Sequence, residues 1–536
     1  MNIHSCNALM RARSRTIRSK RIHFFCASVL ICSAAFDFCC GQAGAQDVRI
    51  EHVTIVSPER SEPMPDATID IHDDRIVSVS PGPAPRHSGA SGKIVDGRGL
   101  YLVPGLIDSH VHVGDVPGMT SEQEQKHPDI ASATRAQIPR SYLYFGYTTL
   151  IDLISTPDVI ARWNAQELHP DIYFCGGAPI VDGYPMNWQP KPRHYDWFPY
   201  MIVERGEEKN APAGIDPAAH TPEQVVARMK ADGAICVKSF HERGFGEEQD
   251  IPAPRLDTMR DLVKAAHAAK MPVFLHANGT NAQEFAVEAG VDVIAHGMWH
   301  WNGEPQTATE LTAAAIRILD SVVKTQVGWQ PTMQVLYGEA DLFDPAYLSD
   351  PNLLRVYPAS FIAWCRSAEG QWFHKVLADA LSPKSTAQSN DAAAQWQAAR
   401  LIFDPATTRN KNATSYLAKR GARFLFGTDT PSAPTYANPP GLNGWVEMHR
   451  LVDAGLTPRQ IFLAATIVNA KALGLDQDIA TVQPGKRANL LLLRKDPTQT
   501  VDAYEEIVKV ILHGRVLDRA ELAANRPATD AGRTGR

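Results

Sequence analysis

Hydrophobic and polar residues alternate at both ends of this chain and not in its middle. The segment from Arg49 to Val56 repeats with a period of two, and so do residues 67–72 and 75–79, the last two runs separated by Asp73-Asp74. That period puts apolar side chains on one face of a strand, so residues 48–81 read as short strands with turns. Near the other end, residues 488–493 and 507–514 read the same way, the first preceded by Gly485 and the second closed by a His513-Gly514 turn. One small β-sandwich assembled from both termini is the economical arrangement. Between them lie eight apolar runs: 102–112, 148–153, 172–180, 234–240, 273–277, 291–296, 327–331 and 423–428. Helical patterns such as 258–269 and 282–289 separate them. Buried strands alternating with helices predict a parallel α/β fold, and eight of them predict a (β/α)8 TIM barrel. The active site of such a barrel lies at the carboxyl ends of its strands, so polar residues closing these runs become site candidates.

Two irregular stretches interrupt the alternation. Tyr184 to Tyr200 is rich in aromatic residues and proline, and about 334–419 is an unusually long connection before the last strand. Its Ala/Gln-rich stretch, 386–399, reads as helical, and the whole as a helical insertion placed to act as a lid. The domain reading is a signal peptide over 1–45, the amino-terminal portion of the β-sandwich over 46–103 and the barrel over 104–480. The carboxyl-terminal portion of the sandwich follows over 481–520, then a disordered tail over 521–536.

The leader stands apart in composition. Six basic residues between Arg11 and Arg21 precede an apolar run from Phe24 to Phe36, and Ala43-Gly-Ala45 gives a small-x-small cleavage pattern. These features predict export, to the periplasm or beyond, with cleavage near Gln46 and no stable membrane span afterwards. Without the leader the net charge of −6 becomes −11. An acidic chain without a basic stripe argues against nucleic acid as a partner. Five of the eight cysteines fall in the leader; Cys175, Cys236 and Cys365 remain. They are too few and scattered for a disulfide framework and read as small buried apolar residues. The 44% hydrophobic and 21% charged fractions fit a globular protein with a large core.

Chemistry enters at the first barrel strand. His110 and His112, two residues apart, project from one face and form half of a site for a first-row metal. Later strand ends supply Lys238, His276, His296 and Asp429, where a structural residue would more naturally be apolar.

These residues lie in segments that resemble the amidohydrolase superfamily, in its imidazolonepropionase-like and prolidase-like group. The matching stretches are Pro104 to His112, Gly146 to Thr149, Val237-Lys238, His276-Ala277, Ala289 to Gly297 and Phe426 to Asp429, with Ala465 to Gly474 and Val482 to Leu490 downstream. The resemblance implies a metal-dependent hydrolase built as a barrel with a composite sandwich. It implies that His110, His112 and Asp429 hold one divalent ion, and His276 and His296 a second. Lys238 would bridge them as an N-carboxylated side chain, because an ammonium would repel two cations whereas a carbamate offers two anionic oxygens. Zinc suits these N/O ligands. Asp429 would take a proton from the metal-activated water and pass it to the leaving nitrogen.

The implied substrate is a small amide, of dipeptide or N-acyl/aryl type. A cyclic amide, a carbamate or urea, and an ester or lactone are alternatives open to the same chemistry. A rival of another class is a barrel that binds metal or solute without turnover. For substrate contacts the candidates are His241 and Arg243, just after Lys238, with Trp188, Tyr195, Trp299 and Trp301, which together with Tyr184 and Trp197 would wall an apolar pocket. Ser432 is a further candidate, as a hydrogen-bond partner of the bridging water or a turn cap. Relatives are commonly oligomeric, so a homo-oligomer is an expectation resting on the resemblance alone.

Overall fold

In this computed structural model, residues 47–83, 92–188, 197–245, 250–381, 391–432 and 434–525 are described. The expected leader lies outside them. Strands β1 (Asp47–Ile55), β2 (Met64–His72), β3 (Arg75–Pro81), β4 (Lys93–Asp96) and β5 (Tyr101–Pro104) come from the amino-terminal side of the barrel. After the seven barrel strands described below, β13 (Leu490–Leu493), β14 (Ile507–Leu512) and β15 (Arg515–Asp518) complete the same sheet from the carboxyl-terminal side. The strand order is β15-β14-β13-β5-β1-β2-β3, with β4 also paired to β1. The sheet curls until Ile76 exchanges backbone hydrogen bonds with residues 485 and 486, just before β13. Val48, Ile50, Val53, Ile69, Ile71, Leu490 and Leu492 fill the core that this curl encloses. These are the period-two apolar positions of the sequence.

Gly105 marks the passage into the barrel. A side chain there would put its Cβ 2.0 Å from Thr148 Oγ1, so only glycine lets the two strands approach. Seven parallel strands follow in sequence order: β6 (Leu106–Val111), β7 (Tyr147–Asp152), β8 (Asp171–Gly177), β9 (Cys236–Phe240), β10 (Val273–His276), β11 (Val293–Ala295) and β12 (Gly328–Gln330). Residues 423–430 occupy the eighth place. The Leu425 N–H donates to the Trp329 carbonyl (2.9 Å), and the N–H groups of Ser109 and His112 donate to the carbonyls of Phe426 (3.1 Å) and Thr430 (2.8 Å). This last segment pairs too irregularly to be a regular strand. It is clamped instead by side chains: Asp108 accepts the Thr428 hydroxyl (2.7 Å) and N–H (3.0 Å), and Asn469 bonds both Ile107 and Phe426.

Ile151, Leu153, Cys175, Cys236, Phe274, Val293 and Leu425 pack together inside the barrel. Here the cysteine reading needs correction. Cys175 and Cys236 are disulfide-bonded, with Cα atoms 4.4 Å apart and a sequence separation of 61. They face each other in register across β8 and β9. The long separation hid a contact that barrel closure creates. Cys365 is buried and free.

The long connection 334–419 holds the helices Gln334–Asp341, Leu353–Val356, Ala359–Cys365, Trp372–Leu381 and Ala392–Ala418. The last of these packs on helix Ala313–Thr325 and ties to the end of the seventh strand, where the Asn410 amide donates to the Pro331 carbonyl (3.0 Å). Its second half therefore serves as a helix of the barrel wall rather than as an excursion from it. Of the expected tail, residues 526–536 lie outside the described residues and residues 521–525 are packed. Leu522 is buried, and the Asn525 amide donates to the Leu354 (2.7 Å) and Tyr357 (2.9 Å) carbonyls. Among the described residues no helix is long and apolar enough to cross a membrane.

Candidate metal centre

The polar strand ends converge at the carboxyl-terminal mouth of the barrel. His110 lies within β6 and His112 directly after it, their rings 5.4 Å apart by centroid. Lys238 is central in β9, His276 ends β10, and His296 follows β11. Both His296 (φ 80°) and Asp429 (φ 57°) take the left-handed backbone conformation, as does Thr332 (φ 40°). Non-glycine residues seldom adopt it, and its concentration here marks a place where side-chain aim outweighs backbone comfort.

Asp429 is the hub. Its Oδ1 lies 3.1 Å from His110 Nε2 and 3.0 Å from His112 Nε2, and its Oδ2 lies 3.7 Å from His296 Nδ1. One ligand-type atom from each of His110, His296 and Asp429 lies within 4.8 Å of the other two. The His276 ring is 4.5 Å from that of His296. Lys238 is 1% exposed, its ammonium 5.7 Å from the Phe240 ring centre.

Burial and charge divide these groups. Burial, reinforced by the Lys238 charge, pushes His110 down to about 3, so its imidazole is neutral and offers a lone pair. His112 goes the other way, up to about 9: burial lowers it, but Asp152 and Asp429 outweigh burial. Burial works against ionisation of Asp429, yet it is held well below the usual carboxylate range by the histidines around it, of which His112 is the cationic one and is hydrogen-bonded to it (3.0 Å). Burial brings Lys238 down to about 7, against the pull of Asp429.

The cluster passes a simple test for a bound cation. Both ring nitrogens of His110 are buried and lack a hydrogen-bond partner, and the 3.1 Å approach of Nε2 to Asp429 is not aligned as a hydrogen bond. A neutral imidazole facing an ionised carboxylate in a buried pocket is a donor set that a divalent cation satisfies.

The substrate candidates separate. Trp299 stacks on Phe245 (6.0 Å, 7° between planes), Phe245 contacts Tyr184 (5.4 Å), and Tyr184 lies 4.6 Å from His276, forming an aromatic wall beside the cluster. Trp301 is not a member of that wall. It is 1% exposed, its indole N–H bonds the Met298 carbonyl (3.1 Å), and Arg409 packs on its ring, so it serves the core. His241 lays its ring on Phe285 (4.4 Å), on helix Thr280–Ala289, and Arg243 is exposed. Ser432 accepts from the Asn438 amide (3.1 Å) within its own turn. Tyr195 and the Trp188 side chain lie outside the described residues.

Three groups at the cluster escaped sequence reasoning. Asp152 Oδ1 stands 3.7 Å from His112 Nδ1, Thr332 Oγ1 is 3.0 Å from His296 Nδ1, and Glu242 Oε2 is 3.5 Å from His276 Nε2. Asp152 closes an apolar strand as the other candidates do, so the same signal was present for it. Thr332 and Glu242 sit in loops, where a lone polar residue is unremarked.

Fold and site together define a (β/α)8-barrel protein with a histidine–carboxylate cluster able to hold metal at the carboxyl ends of its strands. The chain belongs to the amidohydrolase family, a family of metal-dependent hydrolases, whose profile matches residues 101–300 and 390–517. An allantoinase from Streptomyces avermitilis is 33% identical over 134 residues, which is 23% of this chain and only 26% of the allantoinase. The chain thus matches about a quarter of that relative's length. A Xaa-Pro dipeptidase crystallised with methionine in its active site superposes with a TM-score of 0.58 at 18% identity, over 88% of this chain and all of the dipeptidase. The ochratoxinase of A. niger gives 0.59 at 18% identity, over 88% of this chain and 96% of that one. Phenylurea hydrolase B gives 0.58 at 19% identity, over 90% and 100% respectively. At these identities the likeness is one of fold.

Proposed function

We propose that the chain is an exported hydrolase that cleaves the C–N bond of a small amide, of dipeptide or N-acyl/aryl type, using two divalent ions, with zinc the metal expected. The observation that carries this reading is the meeting of His110, His112, Lys238, His276, His296 and Asp429 at one barrel mouth. His110, His112 and Asp429 would hold one ion, and His276 and His296 the other. A bound ion supplies an acidified water, with a pKa lowered to about 7, and polarises the substrate carbonyl. Asp429, kept ionised by its histidine neighbours, receives the proton of the attacking water and delivers it to the departing nitrogen.

Lys238 would carry the carbamate. Forming one requires a neutral amine to attack carbon dioxide, and burial that lowers Lys238 to about 7 makes that form accessible near neutral pH. The wall of Tyr184, Phe245 and Trp299 favours a substrate with an aromatic or bulky apolar group. A phenylurea hydrolase, whose name gives its substrate an aromatic ring, is among the chain's structural neighbours. Export accords with the Cys175–Cys236 disulfide, a bond that persists chiefly in oxidising compartments. The test is a hydrolysis screen of zinc-loaded protein lacking residues 1–45 over N-acyl amino acids, dipeptides, anilides, ureas and lactones. Turnover of an amide supports the reading. Metal binding without turnover of any class would favour a binding barrel instead.

A further inference from the structure

The loop after Lys238 carries a carboxylate that none of these roles uses. Glu242 is 6% exposed. It makes two polar contacts among the described residues: Oε1 accepts the Gly244 N–H (2.7 Å), and Oε2 lies 3.5 Å from His276 Nε2. Neither partner is a permanent cation, and one backbone hydrogen bond does not compensate a carboxylate for leaving water. The position therefore calls for positive charge reached through His276.

We infer that Glu242 is the positioning carboxylate of His276, an inference that rests on His276 being a ligand of the second ion. By accepting the Nε2 proton, Glu242 fixes the tautomer in which Nδ1 keeps its lone pair for metal, and its charge makes the imidazole a stronger ligand. The Asn278 amide reaches the same Nε2 at 3.2 Å. With Nε2 protonated, it presents its oxygen there, an exchange of amide O and N that leaves the heavy atoms in place. Tyr184 (4.6 Å) and Phe240 (6.2 Å) enclose the ring and keep water from weakening the pair. His112 has a matching arrangement, with Nε2 toward Asp429 and Nδ1 toward Asp152.

Zinc affinity by chelator competition on the chain lacking residues 1–45 tests the assignment. The unsubstituted protein should hold two ions. Glu242→Leu should weaken the second by about 10–100-fold, the usual consequence of losing a ligand's outer partner, and leave the first unchanged. Glu242→Gln, which keeps an acceptor without the charge, should fall between. A Glu242→Leu protein that binds both ions as tightly as the parent overturns the inference. So does a Glu242→Gln protein that retains both affinities and changes only KM, since that places Glu242 on the substrate. A parent protein that saturates at one ion overturns the two-ion reading beneath it. Independently of any variant, 15N-histidine spectra of the zinc-loaded protein should show His276 protonated at Nε2; zinc on Nε2 would refute the assignment.

Discussion

Replacing Cys175 and Cys236 together by alanine removes a crosslink between the third and fourth barrel strands without touching a proposed ligand. With a sequence separation of 61, the loop-closure model assigns the bond about 4 kcal/mol at 25 °C, acting by restricting the unfolded chain. Both side chains are fully buried in the barrel interior, so the two lost sulfur atoms add a small packing penalty in the same direction. The barrel's unfolding transition in denaturant should therefore fall by roughly that amount. Because the term acts on the unfolded state, hydrolysis by the folded variant should be preserved, even though Lys238 lies only two residues beyond Cys236. Thiol titration of the denatured, unreduced protein lacking residues 1–45 should find a single group, Cys365. A variant as stable as the parent, or three titrating thiols in the parent, would refute the reasoning.

Other expectations concern the cluster and the interdomain junction. Asp429→Asn should lower kcat on the best amide by about 10²–10⁴-fold, the range for loss of a general acid–base; a change below tenfold would remove Asp429 from that role. Gly427→Ala places a Cβ 2.7 Å from His110 Cβ and 2.9 Å from Gln330 Nε2. It should cost about 1–3 kcal/mol, read as a lower thermal midpoint, together with weakened zinc retention. Asp171 joins the barrel to the curled sheet through His513 (2.8 Å), Asn489 (2.9 Å) and Arg487 (3.5 Å). Burial raises its pKa, but the His513 hydrogen bond and charge, with Arg487 and Asn489, outweigh burial and hold it below the ordinary value. The resulting stability is present above the unfolded pKa of about 3.9 and is lost as pH falls through the depressed folded value. Thermal midpoints of Asp171→Asn should lie below the parent's at neutral pH and converge with them in acid.

The barrel was legible because seven of its strands are continuous apolar runs, and because His110, Lys238, His276 and Asp429 interrupt or end such runs where packing alone would not put them. The eighth strand was placed correctly in sequence but not in form. Its pairing depends on Asp108, 320 residues from its partner Thr428, on Asn469, which ties Phe426 to Ile107 on the first strand, and on the left-handed turn at Asp429. The disulfide was invisible for a related reason: Cys175 and Cys236 become neighbours only once β8 and β9 pair. Trp301 misled because an aromatic residue after a site histidine looks the same in sequence whether it faces a pocket or, as here, a buried arginine. Glu242 was passed over between His241 and Arg243, since three polar residues in a loop carry no sign of which one turns inward. Residue-level signals locate strand ends well; they do not report which way a loop side chain faces.

The central claim is that six residues at the barrel mouth form a metal centre, and counting the metal tests it most directly. Protein lacking residues 1–45, stripped, reloaded with zinc in the presence of bicarbonate and dialysed, should retain about two ions per chain, falling to one or none when Lys238 is replaced by alanine. Retention of no zinc by the unsubstituted protein, or a stoichiometry indifferent to Lys238, would contradict the account.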